Sequence, residues 1–207
     1  MTQPANAHAT VVLAAGGSTR LGRPKQLLTR DGETLVHRAL RLAHETHPRQ
    51  LLLVSGANRD GVVGACQGLP MQEVFNDRWR DGLASSLRLA ANALANHLGP
   101  VLVLACDQPA LTIDHLRSLL RGAAASTSGC AATRHDGHRG VPAVISATML
   151  RRAQELQGDR GFGSWLAQLP AEQLWCLDAP ELQLDIDTAR DEAGAVAAGW
   201  LDAVTAD

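Results

Sequence analysis

The residues best suited to chemistry in this 207-residue chain fall at three places. The first is the run Leu13-Ala14-Ala15-Gly16-Gly17-Ser18-Thr19-Arg20-Leu21-Gly22-Arg23-Pro24-Lys25. Small side chains let backbone N–H groups approach an anion closely, and Arg20 and Lys25 bring two long cations to the same turn. A triphosphate suits that combination, although the run is neither a Walker A sequence nor the dinucleotide GxGxxG. The second place is Asp107, in Ala105-Cys106-Asp107-Gln108-Pro109. A carboxylate at the tip of a buried strand is held rigidly yet reaches solvent, which suits a Mg²⁺ ligand that leaves metal positions for phosphate and water. The third is Asp185-Ile186-Asp187-Thr188, where alternation along a strand would turn Asp185 and Asp187 to one side. Lying just before a helix cap, Asp187 is the better candidate for a metal, with Asp185 in reserve.

The elements that must position these groups alternate short apolar runs with segments of helical period, the pattern of βα units and a mainly parallel sheet. Residues 11–15, 51–54, 73–75, 101–105, 141–145, 174–177 and 182–186 read as strands. Leu35, Ala39, Leu42 and Ala43 form one helical face behind a Thr34 cap, and Leu83, Leu87, Ala90, Ala91 and Leu94 form another. Thr112 begins a further helix, residues 146–156 and 164–169 read as two more, and Thr188 with Asp191 three residues on begins the last. In open α/β sheets ligands bind beyond the carboxyl ends of strands, where the glycine-rich run and Asp107 fall. Residues 1–9 read as a disordered or extended N-terminal segment and residues 10–207 as one domain.

Composition narrows the function classes. With 19 basic against 21 acidic side chains the formal charge is -2, which argues against a nucleic-acid binder or a polybasic membrane-surface protein. Cys66, Cys106, Cys130 and Cys176 are tens of residues apart, so neither a zinc site nor a disulfide framework is expected. The polar start shows no signal peptide and no apolar run could span a bilayer, so a soluble cytoplasmic protein is expected. The basic side is lopsided: there are 18 arginines and a single lysine, Lys25.

The run LAAGGSTRLGRPK closely resembles the signature loop of nucleotidyltransferases, above all the molybdenum cofactor cytidylyltransferase branch of the MobA-like NTP transferases and its guanylyltransferase relatives. Cys106-Asp107-Gln108-Pro109 resembles the family segment whose Asp binds metal, and Asp185-Ile186-Asp187-Thr188 resembles its DIDT segment. Asn76-Asp77-Arg78-Trp79-Arg80-Asp81-Gly82-Leu83-Ala84-Ser85-Ser86-Leu87 is similar to a third family stretch. The resemblance implies a three-layer α/β/α, Rossmann-like nucleotidyltransferase fold with a mostly parallel sheet. It implies a nucleotide site built from Leu13, Ala14, Ala15, Gly16, Gly17, Ser18, Arg20, Gly22, Lys25, Ser55, Gly56, Asn76, Ser85, Ser86 and Asp107. Within it Ser55 and Gly56 border the base, while Asn76, Ser85 and Ser86 offer neutral donors to ribose or phosphate. Catalytic roles fall to Lys25, Arg20 and Asp107, Mg²⁺ to Asp107 and Asp187, and acceptor contacts to Gln108, Pro109, Gly140, Val141 and Pro142.

The implied reaction moves a nucleotidyl group, CMP from CTP, to the molybdenum-bound pterin phosphate with release of pyrophosphate. A molybdoenzyme or its chaperone is the implied protein partner. The acceptor side departs from the family: Val141 stands where the cofactor branch has His, and Gly158-Asp159-Arg160-Gly161-Phe162-Gly163 lacks the Arg of its GDxGAR stretch in register. A sugar 1-phosphate or polyol phosphate acceptor therefore stays open. A non-catalytic nucleotide- or cofactor-binding protein is the reading of another class, and two carboxylates placed for a metal argue against it. Among the tryptophans, Trp79 is the candidate to watch, lying in the loop before Ser85.

Overall fold

The computed structural model describes residues 7–135 and 138–203. Its elements run β1 (Ala9–Leu13), β2 (Thr29–Arg30), β3 (Glu33–Thr34), α1 (Leu35–His44), β4 (Gln50–Ser55), α2 (Arg59–Ala65), β5 (Gln72–Phe75) and α3 (Leu83–Ala93). There follow β6 (Val101–Ala105), α4 (Ile113–Ala125), β7 (Cys130–His135), β8 (His138–Ile145), α5 (Ala147–Arg151), α6 (Gly163–Gln168), β9 (Leu174–Asp178) and α7 (Ala189–Ala197). His8 is buried and Ala9 opens β1, while residues 1–6 of the expected N-terminal segment lie outside the described residues.

Seven strands make one sheet in the order β5-β4-β1-β6-β8-β7-β9, and β2 and β3 form a separate hairpin. All neighbours pair in parallel except at β8, which runs antiparallel to both β6 and β7. The sheet is therefore mostly parallel, as the apolar runs predict, with one reversed strand. Central strands buried on both faces need apolar residues at every position, and the burial alternates cleanly between two layers. Val12, Leu53, Leu102 and Leu104 face α1 and α4 in one core, and Val11, Leu52, Val54, Val101 and Val103 face α3, α5 and α6 in the other. A smaller cluster of Leu28, Leu35, Ile186, Ala195 and Leu201 packs α7 against the segment that follows β1.

Helix starts are set by the side chains the sequence places there. Thr34, Thr112, Ser146 and Thr188 each accept a hydrogen bond from a first-turn N–H, and Thr188 with Asp191 forms a reciprocal capping box. Two segments differ from the sequence reading. Cys130–His135, too alanine-rich to signal a strand, becomes β7 because β8 and β9 flank it on both sides. Conversely, residues 182–186 do not form a strand: Pro180–Gln183 is a 3-10 turn and the chain then runs on as a loop. Alternation along a strand is thus not what orients Asp185 and Asp187.

Register fixes the floor of the site. Leu13 lies opposite Val54 on one side and Ala105 on the other, so β1, β4 and β6 end level with each other. Because β8 is reversed, its beginning reaches this rim. There a bulge shifts its pairing with β7, the partner jumping from Ala143 at Ala132 to Gly140 at Thr133. Val141 and Pro142 occupy the bulge, where proline's missing N–H costs no ladder bond. The Pro142 carbonyl instead accepts from the Thr133 hydroxyl at 2.7 Å.

Candidate active site

A cleft of about 940 Å³ opens above these strand ends. Leu13, Ala14, Ala15, Gly16, Gly17, Ser18, Arg20, Lys25, Ser86, Asp107, Gln108, Gly140, Val141, Asp185 and Asp187 line it, so the three chemically promising runs converge on one space. Gly22, Ser55, Gly56, Asn76, Ser85, Pro109 and Pro142 do not line it. Their placement is supportive. Gly56 packs so closely on the glycine-rich run that a Cβ would lie 2.6 Å from the Ala15 carbonyl oxygen. Ser55 Oγ donates to Glu73, whose carboxylate also holds Arg59. Asn76, fully buried, spends its amide on the hydroxyls of Ser85 and Ser86 at 2.8 and 2.9 Å, pinning the start of α3. The Pro109 carbonyl accepts from Arg30.

The loop after β1 takes its shape from a side chain that sequence reasoning passed over. Gln26 is 1% exposed, and its Nε2 donates to the carbonyls of Ala14 at 3.1 Å and Gly16 at 2.6 Å. Its Oε1 accepts from Ser18, whose hydroxyl in turn accepts from the Lys25 backbone N–H. One buried carboxamide thereby fastens the loop's two ends. The sequence carries no advance signal of this role, because a Gln between Lys25 and Leu28 reads the same at a surface position. Trp79 completes the wall: its ring lies where a Cβ on Gly17 would be, 2.5 Å away, and the Arg80 guanidinium stacks on it at 4.2 Å. Gly82 has φ +91° and touches the Gly158 backbone, two demands that only glycine meets together.

At the centre stands Lys25. Its Nζ is 2.5 Å from Asp107 Oδ2 and 2.9 Å from Asp187 Oδ1, and Arg20 reaches Asp187 Oδ2 at 2.6 Å. Burial works against the Lys25 charge, but the Asp107 and Asp187 carboxylates outweigh it and hold the ammonium above the usual lysine range. Asp187 is held below the usual carboxylate range by its hydrogen bond from Lys25, with Arg20 adding to it. Asp185 goes the other way: burial, then the Asp107 charge, push it up to about 7. The loop is further tied to the last helix by an ion pair between Arg23 and Glu192.

The donor set fits a hard divalent cation. Asp107 Oδ1 is buried and has no hydrogen-bond partner among the described residues, and an unpaired buried carboxylate oxygen is costly unless a ligand completes it. Among the described residues no group of three or more His, Cys, Asp or Glu side chains is arranged to hold a metal ion. A divalent cation here would rest on Asp107 and Asp187 and take its remaining ligands from phosphate and water.

Away from the cations the cleft wall becomes apolar, with Leu83, Leu87, Val103, Val141 and Phe162. Arg139 does not serve it, because its guanidinium donates to the carbonyls of Leu166, Ala167 and Leu169 beyond α6. Among the described residues no helix is long and apolar enough to cross a membrane.

Comparison with known proteins places this geometry. Nicotine blue oxidoreductase of Paenarthrobacter nicotinovorans is 34% identical, over 81% of this chain and 83% of that protein. A probable molybdenum cofactor guanylyltransferase of Opitutus terrae is 30% identical, over 82% of each. The crystal structure of Rv0371c from Mycobacterium tuberculosis superposes with a TM-score of 0.74, at 27% identity, covering 92% of this chain and 98% of that one. A second structure of Rv0371c, of its complex with manganese, superposes with a TM-score of 0.70 at 26% identity, covering 91% of this chain and 97% of that one. The MobA-like NTP transferase domain matches residues 10–173, well over half of the sequence, and the chain belongs to that family of nucleotidyltransferases.

Proposed function

We propose that this protein transfers CMP from CTP to the phosphate of the molybdenum-bound pterin cofactor, releasing pyrophosphate, with Mg²⁺ as the metal. The observation that carries the reading is the cluster of Lys25, Asp107 and Asp187 directly beside the glycine-rich loop. The family match and the guanylyltransferase relative support the reaction class, and the loop's likeness to the cytidylyltransferase branch supports CTP. The manganese complex of Rv0371c supports a divalent ion.

An acceptor phosphate is already an anionic nucleophile at neutral pH, so the reaction needs no general base. Its oxygen attacks the α-phosphorus of the nucleotide, and the bond to pyrophosphate breaks with its electron pair leaving on that group. The obstacle is the approach of one anion to another. Lys25 and Arg20, both carried on the loop, neutralise the charge that moves on to the β- and γ-phosphates. The loop's small residues let the triphosphate lie against backbone, and Gln26 keeps that backbone from rearranging as charge shifts. Held by Asp107 and Asp187, Mg²⁺ would supply further charge neutralisation at the reacting phosphates.

The test is pyrophosphate release with each of the four nucleoside triphosphates, Mg²⁺ and a panel of acceptors: molybdenum-pterin phosphate, sugar 1-phosphates and polyol phosphates. Turnover with CTP and the pterin phosphate is the expected result. Turnover only with a sugar or polyol phosphate would move the assignment to that acceptor, and none with any pair would overturn it.

A further inference from the structure

Lys25 has a second relation to the metal position besides its role toward phosphate. Of the four oxygens on Asp107 and Asp187, three are already engaged by the protein's own cations. Asp107 Oδ2 and Asp187 Oδ1 hold Lys25 Nζ at 2.5 and 2.9 Å, and Asp187 Oδ2 holds Arg20 at 2.6 Å. Only Asp107 Oδ1, which is buried, lacks a partner. A divalent cation entering between these carboxylates meets an ammonium already seated between them. Like charges at such separations repel strongly where solvent is scarce, and the Lys25 and Asp107 side chains are only 18% and 14% exposed.

We infer that Lys25 is a displaceable occupant of the metal position, an internal counter-ion that bars the divalent cation until a nucleotide's phosphates draw the ammonium away. This inference rests on the nucleotidyl-transfer reading above. Lys25 is built for such an exchange. Its backbone is fixed by the hydrogen bond from its N–H to Ser18 Oγ and by the 3-10 turn that it opens, so only the side chain needs to move. Its ammonium is a compact charge on a flexible four-carbon stem. Arg20, 70% exposed on the loop, can follow the same phosphates. When both leave, the oxygens they held become available together, and cation and nucleotide bind with positive coupling. By reciprocity each raises the affinity for the other by the same factor. Asp107 and Asp187 meanwhile are never left as an unpaired pair of like charges, which explains why two carboxylates can face each other here in a stable fold.

The experiment uses the full chain and Mn²⁺ alone, with binding read by electron paramagnetic resonance. Lys25→Met should bind Mn²⁺ at least about tenfold more tightly than the wild type, within the usual range of site-to-site coupling. Arg80→Gln removes a cation from the same cleft that holds no carboxylate of the pair, and should change Mn²⁺ affinity less than about twofold, as expected for an exposed, screened charge. Equal affinity in Lys25→Met and wild type, or an equal gain in Arg80→Gln, would overturn the inference. If Lys25→Met does not fold, Lys25→Gln takes its place. The wild type gives an independent reading, because the single lysine yields one ¹⁵Nζ resonance. Millimolar Mg²⁺ alone should leave it unmoved, and Mg²⁺ with α,β-methylene-CTP should shift it; a shift with Mg²⁺ alone would refute the barrier. The two claims fail separately. A gain of Mn²⁺ affinity without pyrophosphate release in any assay would sink the transferase reading alone, and pyrophosphate release with no gain would sink the barrier alone.

Discussion

Replacing Gln26 by Met keeps the volume and apolar stem of a side chain that is 1% exposed, and removes only its hydrogen bonds. Two carbonyls lose their donor. That of Ala14, in a residue 2% exposed, is left without water, a loss of about 1–3 kcal/mol. That of Gly16, in an exposed residue, can turn to solvent and forfeits only the net value of a bond, about 0.5–1.5 kcal/mol. Together the change should cost about 1.5–4.5 kcal/mol, a large share of the roughly 5–15 kcal/mol that ordinarily stabilises a domain. Urea unfolding followed by far-UV circular dichroism measures it. Because the loop loses its tie, nucleotide affinity, read by isothermal titration calorimetry, should fall in the same variant. Gln26→Glu sharpens the argument. An ionised carboxylate would face the same two carbonyls, while a protonated one can still donate one bond, so this variant should be less stable at pH 8 than at pH 5 relative to wild type. A Gln26→Met protein within about 0.5 kcal/mol of wild type, the range of ordinary surface substitutions, and with unchanged nucleotide affinity, would refute the reasoning.

Lys25→Ala and Asp107→Ala should each lower kcat/KM for pyrophosphate release by about 10²–10³, the usual consequence of losing one preorganised electrostatic contact; a decrease of less than threefold in both would remove them from the reaction. Gly56→Ala would place a Cβ 2.6 Å from the Ala15 carbonyl oxygen, and should lose about 1–3 kcal/mol in urea unfolding as the loop is pushed aside; a neutral result would show that the strand ends yield freely. His8 is buried and its imidazole is pushed down to about 4, by burial first and then by the His97 and His47 charges. The folded state therefore binds this proton less readily than the unfolded chain, and stability is complete above about pH 6.5 and declines as pH falls toward 4. The loss attributable to His8 is about 2 kcal/mol between pH 7.5 and 5, so unfolding curves of His8→Asn should flatten over that interval; an identical slope in the variant would exclude His8 as the cause.

The fold was legible wherever a segment's own pattern agreed with its surroundings. Residues 101–105, apolar throughout, could only be a strand buried on both faces, and Thr34, Thr112 and Thr188 announced helix starts by side-chain chemistry alone. Cys130–His135 was illegible because its strand is imposed by two neighbours rather than by its alanines, and α2 because Gly61 and Gly64 dilute its helical signal. The cleft shows the same division. Asp107 stood out because charge at a strand end has few structural uses, Arg20 and Lys25 because two cations follow a glycine pair, and Asp187 because it stands just before a helix cap. Asn76 and Ser85 stood out equally, yet their hydrogen bonds are spent on one another, a distinction that only partners can reveal. Gln26 was missed for the converse reason, since burial is invisible in a single residue type.

The reversed strand β8 gives the two halves of the cleft different kinds of attachment to the fold. The side proposed to bind nucleotide is carried on the ends of three level parallel strands, so a change of length within them would disturb the core beneath it. Gly140 and Val141 instead lie near the start of the reversed strand β8, Gly140 bordering and Val141 within a bulge that already absorbs irregular register. On the proposed reading, substitutions at the start of β8 can reshape the wall that faces the acceptor while the glycine-rich loop keeps its geometry. On that reading one floor can serve different second substrates, with the exchange confined to a single corner of the sheet.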